Sequence, residues 1–133
     1  AIGWAALVAD RLDLPFVYVR SKAKEHGAKK RIEGDSVEGR HVVLIEDLLS
    51  TGGSAISSVE ALREEGKATV TDVVAIFTYE LLIAIEKAQD MQLMLHPLST
   101  FGVLLDVAAE QGRLSPDDVR IAGKFAQNPE SWQ

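Results

Sequence analysis

The residues best suited to chemistry lie in one run, Glu46-Asp47-Leu48-Leu49-Ser50-Thr51-Gly52-Gly53-Ser54. Two adjacent carboxylates precede a turn of small and hydroxylated residues, after which Ile56, Val59 and Leu62 recur at helical spacing. Glycines let a backbone come close to a phosphate, and the unpaired N–H groups that open a helix supply donors and positive potential. Ser50, Thr51 and Ser54 add hydroxyl donors. The order excludes a Walker A loop, because the acids come before the glycines and no Gly-Lys-Ser/Thr follows. Carboxylates beside a phosphate cradle repel the phosphate unless they serve another group. Ribose hydroxyls and a hydrated Mg²⁺ are the natural recipients.

A second concentration of chemistry is basic. Six of the 14 Lys and Arg residues fall between Arg20 and Arg31 (Arg20, Lys22, Lys24, Lys29, Lys30 and Arg31), with His26 among them and Glu25 as the one acid. Taken alone, such a run is either a site for a compact polyanion or a solvated charged loop. The whole chain carries 20 Asp and Glu and a net charge of −6. A surface that acidic repels a nucleic-acid backbone, so no nucleic-acid partner is expected. The absence of Cys removes thiol catalysis, disulfides and cysteine zinc sites, and the three His lack the paired spacing of a zinc site.

These residues need elements to hold them. With 133 residues, 47% of them apolar, the chain is expected to form one domain over 1–133 around its own core. Ile2 to Leu12 reads as a buried apolar helix ended by Asp13-Leu14-Pro15. The apolar stretch from Ala1 to Ala9 is far short of the roughly 20 residues of a membrane helix, and it lacks a basic n-region, so no membrane association is expected. Phe16 to Val19 predicts a short strand, and Ser21 to Gly39, without apolar periodicity, a long exposed loop. Val42 to Ile45 is the unbroken apolar run of a strand covered on both faces.

Beyond the turn the pattern alternates. A helix is expected from Ser54 to Glu65, a strand from Val70 to Phe77, a helix from Glu80 to Gln89, a strand from Met91 to Leu95 and a helix from Phe101 to Glu110. A last helix opens at Ser115-Pro116-Asp117-Asp118 and ends at Asn128-Pro129. Alternation of this kind predicts an α/β fold, a parallel sheet flanked by helices. Glu46 and Asp47 are expected at the carboxyl end of a central strand, where such folds bind ligands.

The stretch from Val42 to Ser54 resembles the phosphoribosyl pyrophosphate (PRPP) binding motif of the type I phosphoribosyltransferases: apolar strand, two acids, two apolar residues, then a Thr-Gly-Gly turn. The resemblance covers nearly the whole chain but only the C-terminal portion of the family, so a type I phosphoribosyltransferase-like fold without its N-terminal part is implied. It assigns the ribose hydroxyls to Glu46 and Asp47 and the 5′-phosphate to Thr51, Gly52, Gly53 and Ser54. Leu48, Leu49 and Ser50 complete the motif, and Ser50 matches a position that can touch the base.

Arg20-Ser21-Lys22-Ala23-Lys24-Glu25-His26-Gly27, followed by Ile32-Glu33-Gly34, is similar to the catalytic loop of the orotate branch of that family. Carried over, this makes Lys24, His26 and Arg20 the catalytic residues, with Lys22 as a further PRPP contact. It also implies a homodimer in which the loop serves the neighbouring subunit. The implied reaction converts orotate and PRPP into orotidine 5′-monophosphate and pyrophosphate in the cytoplasm, with Mg²⁺ bound through PRPP and no direct protein ligand. Two departures stand out: Ala28-Lys29-Lys30-Arg31 where the family commonly continues with glycine, and Thr78-Tyr79 where some members carry an Arg. Another nucleobase phosphoribosyltransferase and a PRPP-binding module or fragment without turnover are the alternatives left open.

Overall fold

The computed structural model describes residues 1–22, 31–127 and 129. The apolar N-terminal segment forms α1 (Ile2–Leu12), which stops where Asp13 turns left-handed and the Asp13 and Leu14 amides close onto Asp10 and Ala9 carbonyls. The helix lies against the first long strand. It was expected to be buried, yet none of its residues is; Trp4 is 54% exposed and Leu7 58%. Its apolar residues run around the helix, whereas only one side meets the sheet, so the outer face has no cover among the described residues.

Strands β1 (Val17–Val19) and β2 (Ile32–Gly34) pair antiparallel, with Val17 opposite Gly34 and Val19 opposite Ile32. The expected long loop is therefore partly strand. Three residues are too few to show a period, and the pairing is fastened from outside the segment. The Arg31 Nε donates to the Arg20 carbonyl at 2.9 Å and its Nη1 to the Ser57 carbonyl at 3.1 Å, while its amide donates to Glu65 Oε2 at 3.0 Å. Gly34 is required here: at φ 113° a Cβ would fall 2.5 Å from the Phe16 carbonyl oxygen.

The main sheet holds β3 (His41–Leu49), β4 (Thr69–Thr78) and β5 (Met94–Thr100) in parallel, in the order β3-β4-β5. The expected parallel α/β sheet is present, with one correction: β4 is central, and the strand carrying Glu46 and Asp47 lies at an edge. β5 also starts and ends later than Met91 to Leu95. It runs through Pro97, which an edge strand tolerates because half its backbone groups face no ladder partner.

Helices α2 (Gly53–Glu64) and α3 (Leu82–Asp90) form the crossovers; α2 packs on β3 and β4 and touches α3, which packs on β5. Their contact with the sheet is the core. Val59, Leu62, Val70 and Val73 are at most 1% exposed, each contributing about 1.5–3 kcal/mol of hydrophobic stabilisation. Two more helices follow, α4 (Phe101–Glu110), capped by the Thr100 hydroxyl, and α5 (Pro116–Gln127). At the carboxyl ends of the strands Tyr79 packs against Phe77, Phe101 and Phe125 with ring centroids 5.5–5.9 Å apart, which fastens α5 to that end of the sheet. Among the described residues no helix is long and apolar enough to cross a membrane.

Candidate functional site

β3 delivers the chain to the turn. The strand runs past the acids to Leu49, so Asp47 lies two residues, about 7 Å, before its end. Adjacent residues of a strand point to opposite faces, which separates the two carboxylates. Glu46 is half-buried beside a small apolar cavity between α1, β1, β3 and α2, of about 120 Å³, lined among others by Phe16, Leu44 and Leu62. Asp47 is exposed on the other side, near the start of α1. Burial pushes the Glu46 carboxyl above its usual range, against the lowering effect of the Ala1 ammonium and with a smaller push from the charge of Asp47.

The turn itself is braced from behind. Leu49 is buried in the core, so its side chain takes no part in a site, but its carbonyl accepts from the Tyr79 amide at 3.0 Å and from the Thr78 hydroxyl at 3.3 Å. The same hydroxyl accepts from the Glu80 amide at 3.1 Å. Glu80 holds a left-handed backbone at φ 56°, and its carboxylate takes the Gly102 amide at the start of α4. Ser50 and Thr51 are exposed beyond this brace.

Gly52 is the N-cap of α2 at φ 74°, a conformation that suits glycine, and its missing Cβ would sit 3.5 Å from Ala84 of α3. No side chain caps this helix. The first N–H groups of α2 therefore lack an intrahelical or side-chain acceptor, at the end where the peptide dipoles sum to positive potential. Gly53 and Ser54 are exposed there, and the nearest atom to an added Gly53 Cβ would be Thr51 Oγ1 at 4.0 Å. This is a ready site for a phosphate or another compact anion.

Arg31, at the loop end of the β1–β2 hairpin, is tied to Ser57 of α2 and to Glu65 just past it. Arg20 is exposed, its amide donates to the Arg31 carbonyl at 2.9 Å, and its guanidinium pairs with Glu33 at 3.4 Å. Lys22 is exposed at the edge of the described chain. Lys24 and His26 lie outside the described residues. Among the described residues no cluster of three or more His, Asp or Glu side chains could hold a metal ion directly. Two contacts of the turn have no counterpart in the local sequence: Thr78, notable there only as a departure from the family's Arg, and Lys87 on α3. Neither belongs to a local motif; each meets the turn because a crossover returns it there.

The phosphoribosyl transferase domain family matches residues 1–91. Orotate phosphoribosyltransferase of Bacillus cereus (strain B4264) is 47% identical over 133 residues, covering 98% of this chain and 63% of that protein. The enzyme of the same name from Lactococcus lactis (strain IL1403) is 45% identical over 128 residues, covering 96% and 61%. The crystal structure of orotate phosphoribosyltransferase from Aeropyrum pernix superposes with a TM-score of 0.71 at 34% identity, covering 81% of this chain and 59% of that one. The chain thus spans about three fifths of the length of these relatives. With a motif, a parallel sheet and an uncapped glycine turn that all agree with the family match, the chain belongs to the phosphoribosyl transferase domain family.

Proposed function

We propose that this chain carries the PRPP-binding part of an orotate phosphoribosyltransferase, which converts orotate and PRPP into orotidine 5′-monophosphate and pyrophosphate on the route to pyrimidine nucleotides. The observation that carries the reading is the uncapped, glycine-opened N-terminus of α2, set directly after the strand that bears Glu46 and Asp47. The shared name of the relatives at 45% and 47% identity supports orotate as the base.

In this reading the N–H groups and hydroxyls of Thr51, Gly52, Gly53 and Ser54 hold the 5′-phosphate. Glu46 and Asp47 accept hydrogen bonds from the ribose hydroxyls along the edge of β3, and Ser50 contacts the base. Breaking the bond between ribose C1 and pyrophosphate develops positive charge on the sugar and negative charge on the leaving group. Lys24, Arg20 and protonated His26 stabilise the leaving charge, an electrostatic role that is often the largest catalytic term. Hard carboxylate oxygens at Glu46 and Asp47 suit Mg²⁺ that keeps its waters and travels with PRPP, and when bound it neutralises pyrophosphate charge.

A homodimer is part of the proposal. The exposed apolar surface of Trp4, Leu7, Val43, Met94 and Leu98 favours association, and Lys24 and His26 would then serve the neighbouring site. Cytoplasmic localisation follows from the substrates, both charged and unable to cross a bilayer unaided.

The test is to titrate PRPP into the protein and to follow pyrophosphate release with orotate, adenine or hypoxanthine as the base. Orotate-dependent release supports the proposal. Release with a purine alone replaces orotate by another base, saturable PRPP binding without release makes the chain a binding module, and no PRPP binding overturns the reading.

A further inference from the structure

Behind the turn stands α3, and one of its side chains reaches forward to it. The Lys87 ammonium donates to the Thr51 carbonyl oxygen at 3.1 Å. Ala84, three residues earlier and so on the same helix face, sits 3.5 Å from the place of a Gly52 Cβ. One face of α3 thus backs both halves of the Thr51–Gly52 peptide. A trans peptide carries its C=O and N–H on opposite sides. An ammonium that draws the Thr51 carbonyl toward α3 therefore turns the Gly52 N–H away from α3.

This peptide needs an external hold. Gly52 has no Cβ to favour one orientation, so the residue that permits the turn also permits the peptide to rotate. No side chain caps α2, and the Thr78 hydroxyl holds only the preceding Leu49 carbonyl; among the described residues the side chain hydrogen-bonded to the Thr51–Gly52 peptide is Lys87. A rotated peptide would present a carbonyl oxygen where an anion is to bind.

We propose that Lys87 is a positioning residue for phosphate recognition: it locks the Thr51–Gly52 peptide with its N–H offered to the anion and its carbonyl withdrawn. It also sets a positive charge behind the cradle. The proposal rests on the reading of this turn as the site of the ribose 5′-phosphate.

Lys87→Met and Lys87→Arg test it, with ribose 5-phosphate as the probe and the Gly52 and Gly53 amide resonances followed by NMR. Lys87→Met is expected to raise the Kd about tenfold, the scale of one hydrogen bond to a charged group. It should also broaden both glycine resonances through exchange between two peptide orientations on the microsecond to millisecond scale. Lys87→Arg keeps donor and charge and should restore both readouts. An unchanged Kd with sharp resonances in Lys87→Met overturns the proposal. A wild-type chain that binds no ribose 5-phosphate overturns the phosphate reading and with it this role, while broadening in Lys87→Met would still report the tether itself.

Discussion

Gly52 and Gly53 are neighbours with different reasons to be glycine, and alanine at each position separates the two. At Gly52 the backbone is left-handed, φ 74° and ψ −1°. An added Cβ would lie 3.5 Å from the Ala84 Cα and Cβ, an ordinary contact, so no clash contributes. The cost is conformational, about 1–2 kcal/mol for an L side chain in that region. It is offset by about 0.4–1 kcal/mol because alanine also restricts the unfolded chain. Gly52→Ala should then lose about 1 kcal/mol, or roughly 3–5 °C in Tm for a chain of this size. At Gly53 the backbone is helical and the nearest atom to an added Cβ is Thr51 Oγ1 at 4.0 Å. Alanine there should leave stability unchanged or raise it by up to about 1 kcal/mol. Its methyl group would instead occupy the space a phosphate must enter, weakening ribose 5-phosphate binding tenfold or more. Urea unfolding followed by far-UV circular dichroism, paired with a ribose 5-phosphate titration, reads both effects. A wild-type unfolding midpoint in Gly52→Ala, or wild-type affinity in Gly53→Ala, refutes the reasoning.

The raised pKa of Glu46, caused first by burial, means that the folded state binds this proton more tightly than the unfolded chain. That contribution is complete below the ordinary carboxylate pKa and disappears as pH rises through the raised one. Glu46→Gln, which copies the protonated form, should be more stable than wild type at pH 7 and level with it below about pH 4. Melts between pH 3.5 and 8 check this, and a pH-independent difference contradicts it. Ser115 and Asp118 cap α5 reciprocally: the Ser115 hydroxyl and amide donate to the Asp118 carboxylate at 2.6 and 3.0 Å, and the Asp118 amide donates back to the hydroxyl at 3.2 Å. Ser115→Ala should cost about 1 kcal/mol in urea unfolding. Val59 has no exposed surface, and Val59→Ala should cost about 2 kcal/mol through lost burial and the cavity left behind; a loss below about 0.5 kcal/mol would show that α2 closes onto the sheet.

Much of this protein is written in local chemistry. The alternation of apolar runs and helical spacings sets the parallel α/β class, because a strand covered on both faces and an amphipathic helix have different periods. Ser115 and Pro116 mark the start of α5 by capping chemistry that acts within four residues. The turn from Ser50 to Ser54 is local for the same reason, since its glycines and hydroxylated residues open α2 from consecutive positions.

Tertiary structure decided the rest. Ile32 to Gly34 became a strand with Arg31 held by Ser57 of α2 and by Glu65 just past it, far along the chain. Glu46 and Asp47 parted to opposite faces because β3 continues to Leu49, and the Leu49 side chain turned into the core. Thr78 and Lys87 met the turn across 29 and 36 residues. Contacts of that span have no period and no motif, for they arise only when the crossovers through α2 and α3 return the chain to the sheet. The sequence determined where a turn of small and hydroxylated residues could form; the packing of α3 and β4 behind that turn determined which side chains brace its carbonyls.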